Sequence, residues 1–124
     1  MRVVIVDDDY PCIEILENFC QRYTSDIEIV GTAESVDEAI EVCIKTKPDL
    51  IFLDIEINDQ SGFEVIEALN RSDLMVIITS AHEKYAMQAI KSKVIDFLLK
   101  PISIPGFIHG IRMQKIYINA IVKS

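Results

Sequence analysis

Asp7, Asp8, Asp54, Thr79 and Lys100 lie far apart in the chain, yet together they hold the groups needed to move a phosphoryl group. Asp7 and Asp8, followed by Asp9, end the apolar run Val3-Val4-Ile5-Val6. Adjacent like charges repel, and a hard divalent cation such as Mg²⁺ is the simplest offset. Read alone, the same run also fits a solvated acidic loop whose last aspartate caps a helix. Asp54 can serve as a nucleophile, because a carboxylate can carry an acyl phosphate. Thr79 can hydrogen-bond one phosphoryl oxygen, and Lys100 can neutralise another as a point charge. Mg²⁺ plus Lys100 would spread the charge of an in-line phosphoryl transfer.

These groups can act together only if the chain brings them to one place, and the alternation of elements does so. Arg2 to Val6 reads as a strand buried on both faces, as in a parallel sheet. Cys12 to Tyr23 reads as a helix, with Ile13, Leu16, Phe19 and Cys20 at helical spacing. A second strand is expected over Ile27 to Thr32. Ser35 caps a helix running to Lys45, with Glu38 completing a capping box and Val36, Ala39, Ile40 and Cys43 facing inward. Pro48 stops it. Leu50 to Leu53 is a third strand ending in Asp54, and Asn58 to Gly62 is a loop. A helix over Phe63 to Leu69 packs Val65, Ile66 and Leu69. A fourth strand, Leu74 to Ile78, runs into Thr79-Ser80. Tyr85 to Lys91 is a short helix, and Ile95 to Leu99 a fifth strand ending at Lys100-Pro101. Ser103 caps a last helix with Pro105 in its first turn, where a missing N–H does least harm.

The pattern predicts an α/β fold, a doubly wound five-stranded parallel sheet with right-handed crossovers and helices on both faces. The candidate groups come from the C-terminal ends of strands one, three, four and five. In a parallel sheet those ends share one edge, where such folds place their ligands. A lone aspartate at a strand end is usually a turn residue, and a lone lysine before proline is usually surface. Their joint placement favours one acidic, phosphate-handling cleft.

Composition narrows the rest. At 124 residues, half of them apolar, the chain is expected to be one ordered domain, 1–124. A net charge of −8 disfavours this domain gripping nucleic acid itself. Cys12, Cys20 and Cys43 form no CxxC pair and read as small, largely buried thiols. With only His82 and His109 beside them, a zinc site is not expected. No stretch approaches the ~20 apolar residues of a membrane span, and the first apolar run is too short for a signal peptide. The expected location is cytoplasmic.

The segments Ile5-Val6-Asp7-Asp8, Leu50-Ile51-Phe52-Leu53-Asp54, Ser61-Gly62, Ile78-Thr79-Ser80-Ala81 and Asp96-Phe97-Leu98-Leu99-Lys100-Pro101 resemble the receiver domains of bacterial two-component response regulators. They occur in order and at the family's spacing across nearly the whole chain. The stretch from Tyr85-Ala86 through Pro101-Ile102 is most similar to LytTR-type receivers. The resemblance implies a flavodoxin-like (βα)5 fold and a Mg²⁺ cofactor. It implies a sensor histidine kinase that donates a phosphoryl group to Asp54. Asp8, Asp54 and the backbone carbonyl of Glu56 would ligate the metal, with Asp7 acting through a water on it. Thr79 and Lys100 would hold the phosphoryl group, and Phe97 would be the switch aromatic, turning inward as Thr79 moves. A cis Lys100-Pro101 bond is expected. DNA would be reached only through an output domain following the last helix, about residues 104–122. A homodimer through the fourth helix, fifth strand and last helix is a further expectation.

Some residues depart from the family pattern or lie outside it. Asn58 stands where many receivers have proline, which suggests a less rigid loop. Glu56 places a carboxylate at the cleft mouth, and Phe97 lacks the hydroxyl of a tyrosine. Asp9 reads as a cap or an outer acid, and His82 as a solvent-facing loop residue. Met87, Ile90 and Tyr85 fit a partner surface, while Ala86, Ala89 and Ile90 fit packing on the sheet. On the last helix, Ile104, Phe107, Ile108, Ile111 and Ile118 form the expected core stripe, leaving Met113, Ile116, Tyr117 and Ala120 as surplus apolar surface. Two other functions compete. Asp54-Ile55-Glu56 loosely resembles the acidic loop of haloacid-dehalogenase-like phosphatases, although that family places its nucleophile on the first strand. A pseudo-receiver that only binds partners would lack the full set of acids, threonine and lysine found here.

Overall fold

The computed structural model describes residues 1–123. The chain runs β1 (Arg2–Val6), α1 (Tyr10–Tyr23), β2 (Glu28–Ala33), α2 (Val36–Thr46), β3 (Leu50–Asp54), β4 (Glu56–Ile57), β5 (Gln60–Ser61), α3 (Phe63–Leu69), β6 (Met75–Ser80), α4 (Ala86–Lys91), β7 (Asp96–Leu99) and α5 (Ile104–Lys123). The expected domain end, Ser124, lies outside the described residues. Five strands pair in parallel in the order β2-β1-β3-β6-β7. The short β4 and β5 form a separate antiparallel pair that the sequence reading takes as plain loop.

Alternate residues of the central strands feed two cores. Val4, Val6, Ile51, Leu53, Val76 and Ile78 bury against α2, α3 and α4. Val3, Ile5, Leu50, Phe52, Met75 and Ile77 bury against α1 and α5. Because both faces are covered, β1, β3 and β6 read as continuous apolar runs rather than alternating ones. Burial of this kind contributes roughly 1.5–3 kcal/mol per large apolar side chain, which fixes the strand ends that carry the site.

Local chemistry sets the helix ends. Ser35 Oγ accepts the N–H of Glu38 at 3.0 Å, while Glu38 Oε1 accepts the N–H of Glu34 rather than that of Ser35. The capping box is therefore only half formed. Thr46 ends α2, and Lys47 then turns left-handed at φ 50° before Pro48. Helix α1 begins two residues earlier than expected, with Asp9 at its N-cap and Pro11 tolerated in the first turn. A 3-10 turn, Glu83–Tyr85, precedes α4. No described helix is long and apolar enough to cross a membrane.

The rotation of α5 corrects the expected core stripe. Phe107 stacks on Phe52 at 5.9 Å between centroids and meets Phe19 edge-on at 5.5 Å. That anchor makes Phe107, Gly110, Ile111 and Gln114 the buried seam. Gly110 faces Ile77, and a Cβ there would already lie 3.3 Å from its Cδ1. Ile104, Ile108 and Ile118 are thereby turned outward, at 36–39% exposure. Tyr117, expected off the stripe, packs against the same core.

Candidate functional site

Each candidate group sits at the carboxyl edge. Asp7 follows β1, and its N–H continues the ladder to Ala33 O at 3.0 Å. Its side chain is buried, and Oδ1 accepts the Asp9 N–H at 2.9 Å. Asp8 is exposed beside it. Asp54 ends β3 and is buried, with Oδ1 accepting the Glu56 N–H at 3.3 Å. Thr79 on β6 is in register with Asp54 and is likewise buried.

Lys100 follows β7. Its N–H donates to Ser80 O at 2.7 Å, and the Lys100-Pro101 bond is cis, as expected. Lys100 Nζ lies 2.7 Å from Asp7 Oδ2 and 3.4 Å from Asp54 Oδ2. Gly62 closes the back of the site. Its φ of −59° suits any residue, but a Cβ would fall 2.1 Å from the carbonyl oxygen of Asp54. The glycine is required by close approach alone.

Electrostatics follow from this packing. Burial first, and then the nearby Asp7 charge, push the Asp54 carboxyl up, to about 7 in all. Lys100 and the Glu56 N–H pull it back only in part. Burial works against the Lys100 ammonium, but the bond to Asp7 and the charges of Asp54 and Asp7 prevail and hold its pKa above the usual lysine range. Oxygen atoms of Asp7, Asp8 and Asp54 all lie within 4.8 Å of one another. A cluster of hard carboxylate oxygens, two of its members buried, fits Mg²⁺ in donor type and charge.

A cleft of about 550 Å³ opens beside this cluster, lined by Asp8, Glu56, Asn58, Asp59 and Tyr85 among others. Glu56 stands at its mouth, where its Oε1 is 3.5 Å from His82 Nε2, and both side chains are about half exposed. Phe97 is not in the cleft. It lies on β7, half-buried against the α2–α4 core, and pairs in register with Ile78. Asp9 caps α1 through its backbone, and among the described residues its carboxylate hydrogen-bonds only Cys12 Sγ, at 3.4 Å. Met87 and Ile90 are exposed on α4 while Ala89 is buried, so packing there rests on the alanine.

Sequence reasoning misjudged one loop and missed one contact. Asn58, expected to leave the segment after Asp54 less rigid, is held there by two hydrogen bonds. It takes φ 48°, and its N–H and side chain are both engaged. Two polar residues in succession, Asn58-Asp59, were the available signal for a tight hairpin. The missed contact joins His109 Nδ1 on α5 to Asp96 Oδ2 on β7 at 2.9 Å, and no spacing rule would have paired them.

Comparison with known proteins agrees with this geometry. The family model described as "Response regulator receiver domain" matches residues 3–112. The sensory transduction protein LytT of Bacillus anthracis is 32% identical over 117 residues, covering 93% of this chain and 47% of the relative. The transcriptional regulatory protein BtsR of Escherichia coli is 38% identical over 103 residues, covering 82% of this chain and 43% of the relative. The chain thus spans less than half the length of these curated relatives. Among solved structures, the response regulator domain of Thermotoga maritima CheB has a TM-score of 0.78 at 29% identity, covering 92% of this chain and 96% of that one. The response regulatory domain of Klebsiella pneumoniae mrkE shares the fold at a TM-score of 0.82 and 24% identity, covering 96% and 97%.

Proposed function

This chain belongs to the family of response regulator receiver domains, modules of two-component signalling, and from that premise we propose that Asp54 is its phosphoacceptor and that Lys100, Thr79 and Phe97 convert the modification into a signal. The observation that carries the reading is the convergence of Asp7, Asp54 and Lys100 within 3.4 Å contacts at one sheet edge. An oxygen of Asp54 attacks the phosphorus of a phosphohistidine on a sensor kinase. The P–N bond breaks, its electron pair returns to the imidazole nitrogen, which takes up a proton, and an acyl phosphate remains on Asp54.

Mg²⁺ held by Asp8, Asp54 and the Glu56 carbonyl, with Asp7 supporting, would supply positive charge for the transferring phosphoryl oxygens. Lys100 already lies against Asp54 and can follow a phosphoryl oxygen. Thr79, in register with Asp54, offers a hydroxyl to another. Movement of Thr79 leaves room for Phe97 to turn inward, which biases the face of α4, β7 and α5. That face carries exposed Met87, Ile90, Leu99 and Ile116, suited to a second copy or a following output domain.

The domain is read as a signalling module in the cytoplasm rather than an enzyme turning over a separate substrate. Placement of Asp54 on β3, the third strand in chain order, counts against the phosphatase alternative. Intact mass after incubation with acetyl phosphate and Mg²⁺ tests the reading. A gain of one phosphoryl group is expected, lost with EDTA and in Asp54→Asn. Equal labelling of Asp54→Asn would overturn it.

A further inference from the structure

Three loops meet at Asn58. Its φ of 48° and the 64° of Asp59 put two consecutive residues in the left-handed region. They close the two-residue loop between β4 and β5, where Ile57 faces Gln60. Such loops need positive φ at both central positions, which asparagine tolerates. Proline cannot adopt it, because its ring holds φ near roughly −65°. The N–H of Asn58 donates to Asp8 Oδ2 at 2.9 Å. Its side-chain Nδ2 donates to the carbonyl oxygen of Glu34, in the β2–α2 loop, at 2.8 Å. One residue thereby ties the segment after Asp54 to the start of α1 and to the loop before α2.

We propose that Asn58, through its side-chain anchor on the Glu34 carbonyl, is a positioning residue that holds its own N–H on the Asp8 carboxylate before a divalent cation arrives, and so strengthens binding of that cation. The inference rests on the reading of Asp8 as a ligand. Asp8 is exposed, and a free surface carboxylate samples several rotamers whose loss weakens binding. The Asn58 N–H removes that loss in advance. It occupies one acceptor site of a carboxylate that has about four, so Asp8 keeps oxygen lone pairs for the cation. The bond to Glu34 fixes Asn58 in turn. A proline at this position would lose both the donor and the turn, so a receiver with proline here must orient its acid by other means.

Isothermal titration of the intact chain with MgCl₂, in the absence of any phosphodonor, tests this. Asn58→Gly keeps the backbone angle and the N–H but loses the anchor on Glu34, and should weaken Mg²⁺ binding roughly threefold. Asn58→Pro should weaken it about tenfold or more. The melting temperature of Asn58→Gly in EDTA should stay near that of the wild type, while its rise on adding Mg²⁺ shrinks. A residue that merely holds the fold together would do the reverse. An unchanged dissociation constant in Asn58→Gly overturns the proposal, whatever Asn58→Pro does or whether it folds. Wild-type protein that binds no Mg²⁺ would remove the metal reading itself. Binding that Asp8→Ala abolishes but Asn58→Gly leaves intact would remove only the role of Asn58.

Discussion

Replacing Asp54 by Asn should stabilise the metal-free protein above neutral pH and lose that advantage in acid. The Asp54 carboxyl stands at about 7, against an ordinary value of 3.8. At ~1.4 kcal/mol per pH unit, ionising it inside the fold costs about 4 kcal/mol. The sign follows from proton counting. Between those two values the folded state binds more protons than the unfolded state, so stability falls as pH rises through the window. Above pH 7 the whole cost is present, and near pH 4 almost none is. Asparagine keeps the shape and removes the charge, but it takes from Lys100 the partner at 3.4 Å. The bond from Lys100 to Asp7 at 2.7 Å remains. A net gain of about 2 kcal/mol is then expected, or a rise in Tm of roughly 8 °C for a domain of this size. Thermal unfolding followed by circular dichroism in EDTA, at pH 8 and in steps down to pH 4, reads it directly. The difference between Asp54→Asn and wild type should shrink steadily over that range. Saturating Mg²⁺ at pH 8 should also narrow it, since the cation stabilises the wild type by mass action. Asp54→Asn no more stable than wild type at pH 8 in EDTA, or a gain independent of pH, would refute the electrostatic reasoning.

Asp8→Ala should abolish the Mg²⁺-induced rise in melting temperature, while Asp7→Ala should only reduce it; an undiminished rise in Asp8→Ala would remove it from the ligand set. Gly62→Ala should destabilise by more than ~3 kcal/mol in urea unfolding, because its Cβ would meet the Asp54 carbonyl oxygen at 2.1 Å. A cost below about 1 kcal/mol would show that this contact relaxes freely. Lys100→Ala should leave Asp7 and Asp54 buried without their shared cation and cost about 3 kcal/mol in EDTA at pH 8. It should still accept phosphate while the amide shifts around Phe97 no longer change with beryllofluoride, a mimic of the phosphoryl group. Thiol titration at pH 8 should find Cys20 and Cys43 slow to react, since burial raises them to about 12 and 11; rapid labelling of both in the folded protein would count against that burial.

Much of this molecule was legible in the sequence because its strands are buried on both faces. Val3 to Val6, Leu50 to Leu53 and Met75 to Ile78 leave no polar residue until the edge is reached. The first polar groups after them are therefore the site, and Asp7, Asp54 and Thr79 converge as the parallel topology requires. What was not legible depends on a single contact deciding among similar choices. Helix α5 has isoleucines on most of its circumference, so periodicity alone could not choose its buried side. The stacking of Phe107 on Phe52 chose it, and set Gln114 inside and Ile104, Ile108 and Ile118 outside. The hairpin at Asn58-Asp59 has strands of only two residues each, too short to give any alternation. The capping box formed only by half for a related reason. Glu38 reaches either of two adjacent N–H groups, and geometry gave it that of Glu34.

Locating the phosphoryl group tests the central claim most directly. After incubation with acetyl phosphate and Mg²⁺, borohydride reduction marks any acyl phosphate permanently, and peptide mass spectrometry then places the mark. The expected result is a single reduced residue at Asp54, absent when Mg²⁺ is chelated. A mark on Asp7, Asp8 or Glu56 instead, or no mark in wild-type protein that binds Mg²⁺, would contradict it.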